Sequence, residues 1–118
     1  MQIDLLHRPA QALAQVQLDP GESITAESGA MVGMSPSLEV TTGSRGVVAG
    51  LKRLFGGESF FRNTFAARSA PGTVLLAPAL PGDMALLDID GPGLYLQSTA
   101  FVAATTGVDV RTEIGGFR

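Results

Sequence analysis

Two segments of the chain resemble each other seventy positions apart, and this self-similarity limits the folds available to it. Residues 27–42 align with residues 97–112 without a gap. Five aligned pairs are identical: Ser28 and Ser98, Ala30 and Ala100, Val32 and Val102, Val40 and Val110, and Thr42 and Thr112. Self-similarity at a fixed offset is typical of a duplicated structural unit. The sequence therefore predicts one domain over residues 1–118, with a first copy at about 20–70 and a second copy from about 90.

The second copy is incomplete in this sequence. At the same offset, the counterpart of residues 58–61 would fall beyond Arg118, so the second copy is truncated at 118. We interpret the chain as part of a longer repeat protein. The alternative is a second copy that is naturally short.

The spacing of turn residues predicts an all-β fold. The 15 glycines and 7 prolines are spread along the chain and separate short apolar runs, a pattern typical of sandwiches and barrels. Tight turns are predicted at 19–22 and 81–83, where proline and glycine precede an acid. Residues 1–8 are expected to fray. The predicted strands cover residues 12–18, 23–28, 30–34, 37–41, 58–67, 73–78 and, buried on both faces, 84–89.

A glycine-bounded segment at 43–57 interrupts the β pattern. Its apolar residues share a helical face that excludes Lys52 and Arg53, which predicts a short helix or loop near 46–56. Such a stripe can pack on its own sandwich, on a second subunit, or on a membrane surface. A phenylalanine cluster follows it. The candidate interaction residues are Val47, Leu51, Lys52, Arg53, Leu54, Phe55, Phe60 and Phe61.

Composition argues for an interface and against several kinds of site. Only 16% of the residues are charged, below the ~25% of ordinary soluble proteins, so apolar surface is expected to be covered by another subunit. The net charge of −3 and the scattered cations argue against nucleic-acid binding. His7 is the only histidine, cysteine is absent and the acids are dispersed, so we predict no catalytic, cofactor or metal residue. The N-terminus has no secretory pattern, which predicts a cytoplasmic location.

Several blocks resemble one known family. The run 26–32, the Leu-Lys-Arg at 51–53, and the Gly-Gly-Glu-Ser-Phe-Phe block that opens residues 56–65 resemble the altered-inheritance-of-mitochondria family, the member numbered twenty-four, as do residues 80–83 and 97–101. The resemblance covers about residues 1–118. It implies a fold similar to the trp RNA-binding attenuation protein, with repeated small β-sandwich units that are double-stranded β-helix-like. It implies no catalytic residue, and the mitochondrial member is linked to inner-membrane organisation.

Together these observations predict a non-enzymatic structural or scaffold protein that acts as a homo-oligomer, with possible peripheral membrane contact and no cofactor. The alternative is a small-ligand or RNA-binding module, by analogy with the fold relatives. Two acids, Glu27 and Glu58, lie beside serines in small-residue surroundings. Each could serve a function, or its carboxylate could accept backbone N–H bonds at a bulge or strand end, which we favour.

Overall fold

The computed structural model describes residues 1–42 and 62–110. Within these ranges the chain is all-β, which confirms the predicted fold class. A single 3₁₀ turn, Ser98–Ala100, is the only helical element of the described part. The eight strands are β1 Gln2–Leu6, β2 Leu13–Leu18, β3 Ser23–Glu27, β4 Met31–Met34, β5 Leu38–Thr42, β6 Arg62–Ala67, β7 Gly72–Leu76 and β8 Ala103–Thr105.

The strands form two antiparallel sheets of four. The first sheet has the order β1-β2-β7-β4, and the second has the order β5-β6-β3-β8. Each of the inner strands β2, β7, β6 and β3 is therefore paired on both of its edges. The strands β1, β4, β5 and β8 each have one edge without a neighbouring strand in the described part of the chain.

The core lies between the two sheets and follows from the two-residue period of a strand. In β2, Ala14, Val16 and Leu18 are buried, while the intervening residues point outward. The second sheet contributes inward side chains in the same way, with Ile24 from β3 and Phe65 from β6. One apolar cluster thus contains residues of both sheets, so the described part is a β-sandwich.

The predicted turn at 19–22 is confirmed. Gly21 has a φ of 91°, and the N–H of Glu22 donates to the carbonyl of Asp19 at 2.9 Å. The Glu22 carboxylate accepts hydrogen bonds from the N-terminal ammonium group at 2.9 Å and from the Asp19 N–H at 2.8 Å. These two bonds lower the pKa of Glu22. The turn connects β2 in the first sheet to β3 in the second.

Two sequence predictions are wrong. Residues 2–6 do not fray but form β1, which pairs with β2 from Gln2 opposite Gln17 to Leu6 opposite Leu13. Residues 84–89 do not form a strand buried on both faces, because residues 85–89 are exposed and belong to no strand. β1 pairs with β2, whereas residues 84–89 pair with none of the four edge strands β1, β4, β5 and β8 in the described part.

Other predictions fall outside what the structure describes or are not tested by it. The helix or loop near 46–56 lies outside the described residues. The division into a first copy and a second copy stays a prediction.

Candidate interaction surface

The largest exposed apolar feature of the described chain is a segment that leaves the sandwich after β7. Every residue from 85 to 97 is exposed, and none belongs to a helix or strand. We call residues 85–97 the arm. Its large apolar side chains keep between 42% and 74% of their area exposed; they are Leu86, Leu87, Ile89, Leu94, Tyr95 and Leu96.

Both ends of the arm are fixed to the sandwich. Before it, the carbonyl of Gly82 accepts a hydrogen bond from the Ala12 N–H at 2.8 Å, and Met84 packs against the core. After it, the carbonyl of Val102 accepts one from the Glu27 N–H at 2.8 Å. Val102 also packs against the core. The arm is thus a loop held at two points, with its apolar middle directed away from the core.

An ion pair reinforces the first of these ends. The guanidinium group of Arg8 donates to both carboxylate oxygens of Asp83, at 2.7 and 3.1 Å. This two-bond geometry is the strong form of an arginine–carboxylate contact. The bonds from Arg8, followed by the bond from the Met84 N–H, lower the pKa of Asp83. Asp83 therefore remains ionised to a lower pH than an ordinary aspartate.

The tip of the arm is a turn at residues 90–93. The Gly93 N–H donates to the carbonyl of Asp90 at 3.4 Å. Gly91 and Gly93 have φ values of 59° and 98°, which residues with a side chain rarely adopt. The turn divides the arm into two limbs, 85–89 and 94–97. Strand–turn–strand sequences of this kind form hairpins, yet neither limb belongs to a strand in the described part.

A small apolar cleft lies beside the first end of the arm. It has a volume of about 290 Å³ and is lined by His7, Ala12, Leu13, Ala77 and Pro78, among others. His7 is exposed and has a φ of 59°. The cleft is open to solvent on one side and is formed by the ends of β1, β2 and β7.

The outer face of the second sheet carries a row of hydroxyl groups. Thr41, Thr64 and Thr25 lie directly opposite one another on β5, β6 and β3. The hydroxyls of Thr25 and Thr64 are 3.0 Å apart. At one end of this face a cleft of about 320 Å³ includes Arg68, whose guanidinium group binds the Glu39 carboxylate at 2.7 Å. This row of hydroxyl groups contrasts with the apolar side chains of the arm.

Of the residues that the sequence singled out, the structure describes Glu27 alone. All eight candidates at positions 47–61 lie outside the described residues, as does Glu58. Glu27 is the last residue of β3, where its N–H donates to Val102 and its carbonyl accepts from the Ala30 N–H at 3.1 Å. These bonds at the strand end use the backbone of Glu27. Its predicted carboxylate contact is not among the hydrogen bonds of the described part.

Sequence reasoning missed the arm as an exposed surface. The available signal was the weak alternation of residues 84–89, which we interpreted as burial on both faces. Within residues 1–42 and 62–110, no group of three or more histidines, cysteines or acids could hold a metal ion. No helix there is long and apolar enough to cross a membrane.

The geometry defines a small all-β sandwich protein with an exposed, firmly anchored apolar arm. The family model described as mitochondrial biogenesis AIM24 matches residues 3–118. The chain therefore belongs to this family, as the resemblance in the sequence implied. No match was found among curated proteins or among solved structures.

Proposed function

We propose that this protein is a non-enzymatic structural or scaffold protein that works by assembling into homo-oligomers. The observation that carries the proposal is the concentration of large exposed apolar side chains on the arm. Contiguous apolar patches of this kind mark interaction sites in soluble proteins. The low charge content of the chain agrees with a surface that is partly covered by protein.

The experiment that tests this proposal is sedimentation velocity over a hundredfold range of protein concentration, with native mass spectrometry of the same sample. We expect a defined multimer whose population rises with concentration. A chain that remains monomeric throughout that range would overturn the proposal.

Membrane proximity and location are further parts of the proposal. They are supported by the family relationship and by the sequence of residues 47–55, which lies outside the described part. We expect weak binding to anionic vesicles in a flotation assay, and a cytoplasmic location on cell fractionation. We also propose that the fold consists of repeated units similar to the trp RNA-binding attenuation protein.

A small-ligand module is the second candidate, because the cleft beside His7 is apolar and of ligand size. A ligand at a hundredfold excess over its dissociation constant would stabilise the folded state by about 2.7 kcal/mol. A thermal-shift screen of small apolar compounds would detect that effect. RNA binding has weaker support, since the net charge is −3 and the arm carries no cation. Retention of RNA at low salt would favour it.

A further inference from the structure

We propose that the tip of the arm is a site of covalent modification, where Asp90 converts to isoaspartate through a cyclic imide formed with the backbone nitrogen of Gly91. The proposal does not rest on assembly, because the reacting atoms belong to two consecutive residues of one chain. Residue order, exposure, backbone conformation and hydrogen bonding at the tip all support it.

The reaction joins two groups that are already neighbours along the chain. The Gly91 nitrogen attacks Cγ of Asp90, a C–N bond forms, and the carboxyl hydroxyl leaves with the proton of the nitrogen as water. Water then opens the imide at one of its two carbonyls. Opening at Cγ restores aspartate, whereas opening at the main-chain carbonyl carbon breaks the original peptide bond and leaves isoaspartate. The water released in the first step is consumed in the second, so no oxidant, reductant or cofactor takes part.

Residue order distinguishes Asp90 from the other aspartates. It is the only aspartate of the chain that precedes a glycine, whose nitrogen is the least crowded by a side chain. Asp88 precedes Ile89, which is branched at Cβ and hinders the attack. Asp19 precedes Pro20, whose nitrogen carries no proton to lose.

The turn leaves space around the reacting atoms. Asp90 and Gly91 are both exposed, and neither belongs to a helix or strand. Gly91 has a φ of 59°, and a Cβ atom placed on it would meet nothing within 4 Å. Ring closure requires rotation of the backbone to bring the nitrogen to Cγ. Glycine permits a wide range of φ, and no ladder of hydrogen bonds opposes the rotation here.

Neither reacting group is held by a hydrogen bond in residues 1–42 and 62–110. The Asp90 carboxylate has no hydrogen bond or ion pair there, and the Gly91 N–H donates to no acceptor. Asp83 shows the opposite arrangement. Two bonds from Arg8 hold its carboxylate, and the N–H of the next residue, Met84, donates to it at 2.9 Å. Asp83 is therefore restrained where Asp90 is free to react.

Conversion would change the turn and create a new chemical group. Isoaspartate routes the main chain through Cβ and Cγ, which lengthens the link between the two limbs by one carbon. The former carbonyl of Asp90, which accepts the Gly93 N–H at 3.4 Å, becomes a free carboxylate. A protein isoaspartyl methyltransferase recognises such a carboxylate and transfers to it the methyl group of S-adenosylmethionine. The tip would thus become a substrate for that class of enzyme.

Peptide mapping of the aged protein tests the proposal. The full chain is incubated for several weeks at neutral pH and body temperature and digested, and electron-transfer fragmentation locates each isoaspartate. We expect isoaspartate to accumulate at position 90 at least tenfold faster than at position 88. Asp88 is the internal control, because it lies in the same exposed limb. Transfer of a labelled methyl group by a protein isoaspartyl methyltransferase measures the product independently.

Two variants test the chemistry at the tip. G91A adds a methyl group beside the attacking nitrogen, meets no neighbouring atom and should slow the conversion about tenfold. D90N forms the same imide with loss of ammonia and should react faster than the wild type. Far-ultraviolet circular dichroism checks that the sandwich is folded in each variant.

The rate in the folded chain separates an open tip from a covered one. A synthetic peptide of residues 85–97, incubated alongside the protein, gives the rate for the same residues without the sandwich. We expect the rate in the protein to lie within tenfold of the peptide rate. A slower rate would mean that the turn is held or covered in solution, and it would overturn the proposal. Equal accumulation at positions 88 and 90, or an unchanged rate in G91A, would overturn it as well.

Discussion

Phe65 contributes the largest fully buried side chain of the core, with 1% of its surface exposed. Replacing it by alanine removes most of an aromatic ring from a space that the two sheets cannot close. We expect Phe65→Ala to lower the free energy of unfolding by about 3–5 kcal/mol. Urea unfolding followed by circular dichroism measures the change. Val40 lies directly opposite Phe65 on β5 but is 41% exposed, so Val40→Ala should cost about 1 kcal/mol or less.

Gly72, the first residue of β7, is needed for close packing rather than for an unusual φ. A Cβ atom at this position would lie 2.8 Å from Cγ of Leu38, a buried residue of β5, and 3.0 Å from Oγ of Ser37. We expect Gly72→Ala to destabilise the protein by about 1–3 kcal/mol through overpacking. A Cβ at Gly82 meets nothing within 4 Å. Gly82→Ala, measured in the same urea experiment, should therefore leave stability unchanged or slightly higher.

Many inward residues could be predicted from the sequence, because alternation in a strand specifies a face. The run 12–18 identified β2 and the apolar residues Leu13, Val16 and Leu18. The structure buries Val16 and Leu18. Leu13 is only partly buried, because it stands on the opposite face of the strand from those two. The face on which Leu13 lies depends on where the strand begins, and the run of apolar residues does not specify that position.

At the scale of elements, the ion pair of Arg8 and Asp83 connects the β1 end to the base of the arm. The folded-state pKa of Asp83 is depressed. The ion pair therefore contributes its full amount to the stability of the folded state above the ordinary aspartate pKa of about 4. Its contribution is lost as pH falls through the lower folded-state value. A carbon-detected NMR titration measures that pKa directly. In Arg8→Gln it should move up towards the ordinary value, while the Met84 N–H keeps part of the depression.

The titration has a clear contrary result. An Asp83 pKa that is the same in the wild type and in Arg8→Gln would mean that the guanidinium group does not hold the carboxylate in solution. Arg68→Gln is the control, because Arg68 binds Glu39 on the second sheet and not Asp83. It should leave the Asp83 pKa unchanged.

Whether an element pairs could not be predicted from its own residues. Residues 2–6 and residues 84–89 both have mixed apolar and polar character, yet only the first segment becomes a strand. Strand formation depends on the neighbouring edge as much as on the residues themselves. β1 pairs with the edge of β2, whereas residues 84–89 pair with none of the open edges of β1, β4, β5 and β8 in the described part. Their own residues therefore do not decide whether they form a strand.

At the scale of the whole molecule, family and fold class could be predicted while the assembly could not. The block at 56–65 indicated the family, and the regular spacing of turn residues predicted the all-β class. An interface depends on surfaces that meet in space, and the sequence showed only that charge was scarce. The residues predicted for it at 47–61 lie outside the described part. The described part instead presents the arm, with Leu86 and Leu87 exposed.

If the protein assembles through the arm, we expect the quenching of its intrinsic fluorescence to change with protein concentration. Tyr95 is the only tyrosine and the chain has no tryptophan, so intrinsic emission reports on the arm alone. Tyr95 is 74% exposed in the single chain, where a dissolved quencher can reach its ring. If the arm lies in the interface of the proposed oligomer, a second copy covers the ring. We therefore expect the acrylamide quenching constant to fall severalfold as protein concentration rises through the dissociation constant.

The double variant L87D/L94D supplies the comparison, because it adds a charge to each limb of the arm at an exposed leucine and keeps Tyr95. Its quenching constant should stay high at every concentration. The control V32D changes an exposed valine on β4, outside the arm, and should follow the wild type. Multimers that form on sedimentation with no change in tyrosine quenching would place the contact elsewhere on the sandwich. Phe65 lies in the core between the two sheets and not in the arm, so that result would leave the predicted cost of Phe65→Ala unaltered.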